Sequence, residues 1–148
     1  MAAKLQKGGV SMADIKTGDI ILVDLTNAIG HQQGGIRPAV VVSNNVGNCK
    51  SPTVKILPGT SQRTKSNLPT HAHFEADEIE GLTKQTTFEA ESEMTIDKRQ
   101  IKKYISHMTD EQLEKIADAM LFATPLILTA FNRGTHFSER FKKVANFS

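Results

Sequence analysis

The chain has one cysteine, Cys49, in 148 residues, so no internal disulfide can form within it. A zinc site built on paired cysteines is excluded on the same count. A lone thiol suits a reducing compartment, and the cytoplasm is the expected location. Aromatic residues make up 5% of the chain, so stacking platforms for bases are few. Long apolar runs are absent too. The most apolar stretch, Ala119 to Phe131, is interrupted by Pro125 and falls short of the roughly 20 residues a bilayer requires. Lys4 and Lys7 have no apolar segment behind them, so no signal peptide is expected, and no membrane association.

The chain is of a size for one compact domain that buries roughly 70% of its unfolded surface. Its apolar share is 39% and its charged share 23%, ordinary for a globule. The net charge of +2 is unevenly spread. Residues 1–70 carry +5, residues 71–98 carry −6 and residues 99–148 carry +3. A basic half is compatible with a polyanionic partner, although solvated surface produces the same balance. The cluster Glu75, Asp77, Glu78 and Glu80 would repel a nucleic acid, so any such path should avoid it.

Residues 1–14 lack periodicity and read as a tail. Ile20 to Leu25 is an apolar run of strand length. Asn27 to Gly35 reads as a loop, and Ala39 to Ser43 as a β-branched strand. Asn44 to Pro52 carries turn signals, Thr53 to Leu57 reads as a third strand, and Pro58-Gly59 is expected to break it. His71 to Glu75 alternates as a short strand does, and Thr86 to Glu91 is a weaker candidate.

Thr109 with Gln112 forms a capping box, with Asp110 and Glu111 in the first turn of a helix. Leu113, Ile116, Ala117, Met120 and Leu121 make one apolar stripe. Pro125 is expected to kink a helix running on to Phe131. Residues 132–148 form an extension. The expected architecture is mainly β, a small twisted sheet or barrel, with a C-terminal helix appended.

Among candidate sites, His71 and His73 lie two apart and would share a strand face that Glu75 continues; a metal or a plain surface face both fit. His31-Gln32-Gln33-Gly34-Gly35 lacks the ending of a nucleotide P-loop. Arg37 follows that glycine pair and precedes Pro38, at the mouth of a strand. An arginine so placed either offers a rigid fork to a phosphate or makes a surface ion pair.

From Gly18-Asp19-Ile20 through Gln33-Gly34-Gly35-Ile36-Arg37-Pro38 to Ser43-Asn44, the chain resembles the MazF/PemK toxins of bacterial toxin–antitoxin pairs. The resemblance continues through Asn45-Val46-Gly47-Asn48, Ser51-Pro52-Thr53-Val54, Leu68-Pro69-Thr70-His71, Thr95-Ile96-Asp97-Lys98 and Ile105-Ser106-His107-Met108. It covers residues 15 to about 131. It implies an SH3-like small β-barrel, a homodimer, and an endoribonuclease that cuts single-stranded mRNA sequence-specifically with no metal or cofactor. The nucleophile would be the RNA 2′-hydroxyl, leaving a 2′,3′-cyclic phosphate and a 5′-hydroxyl.

The family's catalytic arginine and threonine fall on Arg37 and Thr60. Base recognition is expected from His31, Gln32 and Gln33, and from Ser61, Arg63 and Lys65 beside Thr60. Many members carry Glu-Gln-Ile-Arg before Thr-Ile-Asp. This chain has Glu91-Ser92-Glu93-Met94, which places Glu91 and Ser92 among the RNA-facing candidates. The family's basic residue before Gly-Asp is Thr17 here. A small antitoxin, with a segment that folds on binding, is the implied protein partner. Two other readings share the same fold: a CcdB-like protein that poisons gyrase by contact, and a family member that binds RNA or antitoxin without cutting.

Overall fold

The computed structural model describes residues 14–27, 34–62 and 68–131. The expected tail, apart from Asp14, and the extension 132–148 lie outside them. So do His31, Gln32, Gln33, Arg63 and Lys65.

Among the described residues, seven strands form one sheet with every pairing antiparallel: β1 Asp19–Asp24, β2 Ile36–Val41, β3 Thr53–Thr60, β4 His71–Phe74, β5 Thr86–Glu89, β6 Met94–Asp97 and β7 Ile101–His107. The order is β4-β5-β3-β2-β1-β7, with β6 paired to β3 off this path. The mainly β architecture with a C-terminal helix is present. Closure is not: the sheet is open, with β4 and β7 at its ends. The reason lies between β6 and β7. A 3-10 turn at Lys98–Gln100, capped by Asp97, takes the chain around the corner. Ile96 and Ile101 then meet as side chains in one apolar cluster without their backbones pairing.

β3 is the axis of the sheet. One edge pairs with β2. The other pairs with β6 over Thr53–Ile56 and with β5 over Gly59–Thr60. Leu57 and Pro58 fall between those two partners, so the missing N–H of Pro58 removes no rung from that edge. This is why Pro58-Gly59 does not end the strand as expected. Gly59 has a steric task there. A Cβ would stand 2.7 Å from Thr86 Cγ2, 3.0 Å from Phe88 Cε1 and 3.2 Å from Pro38 O, so only glycine lets β5 lie this close.

Alternation along the strands creates two cores. Ile21, Val23, Ala39, Val41, Ile56 and Ile96 fill one. Ile20, Val40, Leu57, Phe74 and Phe88 fill the other, covered by α2, Asp110–Ala123. Phe74 and Phe88 meet edge to face with ring centroids 5.9 Å apart. The Thr109–Gln112 capping box forms on both sides. Ile116 and Ala119 are the buried helix residues, while Ala117, expected in the stripe, faces solvent. Pro125 ends the helix and does not kink it: a 3-10 turn, Pro125–Ile127, precedes α3, Leu128–Phe131.

Asn44 to Pro52 is more ordered than its turn residues suggested. Asn45–Lys50 is a short helix, α1, capped where the Asn44 side chain accepts from Gly47 N at 2.8 Å. The buried Asn48 amide donates to Ser43 O at 2.8 Å and fixes the helix to the end of β2. Thr17 joins the same junction, its hydroxyl donating to Ser43 O at 2.5 Å.

Candidate active site

β2 carries Arg37 as its second residue. Gly35, at φ +79°, turns the chain so that Gly34 O faces back toward the strand. Arg37 Nε and Nη2 donate to that carbonyl at 2.8 and 2.5 Å, and Nη1 donates to Gly59 O at 3.3 Å. The guanidinium is thus held in a fixed plane between the loop and β3. Burial pushes its pKa below the ordinary arginine value, and the Glu89 carboxylate acts in the opposite direction. An arginine remains charged throughout.

Thr60 ends β3 and is partly exposed. Its hydroxyl oxygen accepts from Gln62 N at 3.2 Å. The β2–β3 register pairs Ala39 with Pro58, and continued by two residues it sets Arg37 opposite Thr60. The structure therefore brings together the guanidinium and hydroxyl that the sequence singled out. Next in the same row stand Thr87 on β5 and His73 on β4. The buried Thr87 hydroxyl lies 2.9 Å from His73 Nδ1. His73 Nε2 lies 3.1 Å from Glu75 Oε1.

One step along the same face, Glu89 pairs across the sheet with His71. A 3-10 turn at Ala90–Ser92 folds Glu91 and Ser92 back onto this pair. His71 Nε2 and Glu91 Oε1 are 2.6 Å apart, and Ser92 Oγ donates to Glu89 Oε2 at 3.3 Å. Burial pushes the Glu91 carboxyl upward. Hydrogen bonds from the Thr70 hydroxyl, its own backbone N–H and His71 outweigh that, and its pKa is lowered.

One ligating atom from each of His71, Glu89 and Glu91 lies within 4.8 Å of the other two. We read this as a hydrogen-bonded cluster. His71 Nδ1 is buried with no partner, so a metal on Nε2 would leave an unsatisfied N–H inside the protein. The two histidines do not act as a pair, since each has its own carboxylate.

A groove of about 420 Å³ opens at the strand ends. Arg37, Thr60, Ser61, Gln62, Lys84 and Lys103 line it. No residue of the acidic cluster 75–80 is in its wall, although the adjoining Gly81 and Leu82 are. Lys84, Lys103 and Glu89 were missed from sequence. The first two come from a loop and from β7, brought to the groove only by the sheet order. Cys49 is exposed on α1 and takes no part.

Residues 16–122 match the family described as PemK-like, MazF-like toxin of type II toxin–antitoxin system. The chain belongs to that family. Endoribonuclease EndoA of Bacillus subtilis (strain 168) is 35% identical over 113 residues, covering 76% of this chain and 97% of that protein. A mycobacterial endoribonuclease, solved in complex with its cognate antitoxin, superposes with a TM-score of 0.59 at 25% identity, covering 76% of this chain and 96% of that one. MazF from Deinococcus radiodurans has the same fold, with a TM-score of 0.61 at 23% identity over 73% of this chain and 94% of that one.

Proposed function

We propose that this chain is the endoribonuclease toxin of a toxin–antitoxin pair, cutting single-stranded RNA with the substrate's own 2′-hydroxyl as nucleophile. The observation that carries the reading is the juxtaposition of Arg37 and Thr60 at one end of β2 and β3, in a chain 35% identical to an endoribonuclease. RNA brings its nucleophile with it, so the protein needs only to orient the linkage and stabilise charge on phosphorus. The fixed Arg37 fork donates two charge-assisted hydrogen bonds to phosphoryl oxygens. The Thr60 hydroxyl adds a neutral one. The 2′-oxygen bonds to phosphorus, the bond to the 5′-oxygen breaks, and no metal is required. DNA lacks the nucleophile and is not cut.

Lys84 and Lys103 bind flanking phosphates along the groove, and Ser61 in its wall meets bases. A cognate antitoxin is the protein partner, as it is for the mycobacterial relative solved in complex with its own. The exposed Phe122, Leu126, Ile127 and Leu128 form an apolar end suited to a second subunit. Among the described residues no helix is long and apolar enough to cross a membrane.

Primer extension on a long RNA, cleaved in EDTA, tests the reading. Discrete stops at a recurring short sequence are expected. Intact RNA, or cutting only after divalent metal is added, would overturn it. Gyrase inhibition with RNA left intact would favour the CcdB-like alternative.

A further inference from the structure

Resting on that reading, we infer that Glu89 is the general base that takes the proton from the attacking 2′-hydroxyl. The mechanism above leaves that proton without an acceptor. Arg37 stays protonated and Thr60 is neutral, so neither can receive it. Glu89 is placed to do so. It shares the sheet face of Arg37 and Thr60, two residue pairs along from the Thr60–Thr87 rung. Adjacent strands stand about 4.8 Å apart, so its carboxylate is within a side chain's reach of the linkage held between Arg37 and Thr60. It is close enough to Arg37 to influence its charge equilibrium.

The charge distribution around the carboxylate suits the role. The described titratable and charged groups facing it are Arg37 on β2, His71 and His73 on β4, and Glu91 on the following turn; β3 presents Pro58 and Thr60. Glu91 is engaged by His71 and Thr70. Arg37 supplies a positive charge on the same face of the sheet. Ser92 Oγ, on Glu89 Oε2 at 3.3 Å, fixes its orientation. In the step, the 2′-oxygen–phosphorus bond forms as its proton passes to a Glu89 oxygen. The phosphorus–5′-oxygen bond breaks, and a solvent water protonates the leaving 5′-oxygen. The resulting hydroxide takes the proton back from Glu89.

Glu89→Gln keeps shape and hydrogen bonding and removes the basic site. Single-turnover cleavage of a short RNA across pH 4–9 should show a plateau lowered by about 10²–10⁴-fold. The native enzyme should lose rate toward acid, and in the variant that decline should vanish. Affinity for an uncleavable 2′-O-methyl RNA should stay within about twofold, and Glu89→Asp should recover part of both rate and acid decline. A Glu89→Gln enzyme within tenfold of native rate, or one retaining the acid decline while His71→Gln loses it, would overturn the assignment. Native enzyme that leaves RNA intact would remove the parent reading and this one together. Native cleavage with an unaffected Glu89→Gln variant removes only the base.

Discussion

Replacing Arg37 by alanine is the most informative single perturbation of the site. The side chain is tied to Gly34 O by two nitrogens and to Gly59 O by a third at 3.3 Å. That last contact is the longest of the three and yields most readily to a phosphoryl oxygen. A bidentate grip on the developing phosphorane adds two charge-assisted hydrogen bonds, each about 1.5–3 kcal/mol. Their loss raises the barrier by about 3–6 kcal/mol, which is roughly 10²–10⁴-fold in rate. Arg37→Lys keeps the charge but loses the fork, so it should fall between alanine and native. The assay is single-turnover cleavage of an end-labelled RNA, with thermal unfolding of each variant beside it to separate chemistry from folding. The carbonyls of Gly34 and Gly59 lose a donor, so a modest drop in Tm is expected. A folded alanine variant that cuts within tenfold of native would refute the assignment of Arg37 to the scissile phosphate.

Gly59→Ala should destabilise the fold by about 1–3 kcal/mol, because the new methyl meets Thr86, Phe88 and the Pro38 carbonyl; chemical denaturation measures it, and an unchanged midpoint would contradict the packing argument. Lys84→Ala with Lys103→Ala should weaken RNA binding and flatten the slope of log affinity against log salt by about 0.7 per lysine. An unchanged slope would place the RNA elsewhere. Glu91 has a lowered carboxyl pKa in the folded state, so its stabilising contribution is present above the usual carboxylate range and lost as pH falls through it. Stability of native and Glu91→Gln proteins, compared from pH 3 to 7, should therefore converge toward the acid end. Parallel curves would refute the linkage.

Local signals carried the parts of the fold that depend on local chemistry. The Thr109–Gln112 box, the apolar run of β1 and the β-branched run of β2 are each specified by neighbours in sequence. Pro58-Gly59 misled because its tolerance in β3 depends on which strands lie alongside, and β5 and β6 arrive from 27 or more residues away. β6 and β7 lacked a distinct periodic signal and were visible only in the resemblance. The site divides the same way. Arg37 and Thr60 were legible as motif residues. Glu89, Lys84 and Lys103 owe their place to strand register and sheet order, which no local pattern encodes.

The most direct test of self-cleavage by the transcript is a substrate series in which one nucleotide at a time carries a 2′-deoxy sugar. Cleavage should be lost when, and only when, the nucleotide immediately 5′ of the cut is replaced, with native-like cutting at every other replacement that preserves binding. Undiminished cleavage across that deoxy nucleotide would show that the nucleophile comes from elsewhere, and the roles given to Arg37 and Thr60 would fall with it.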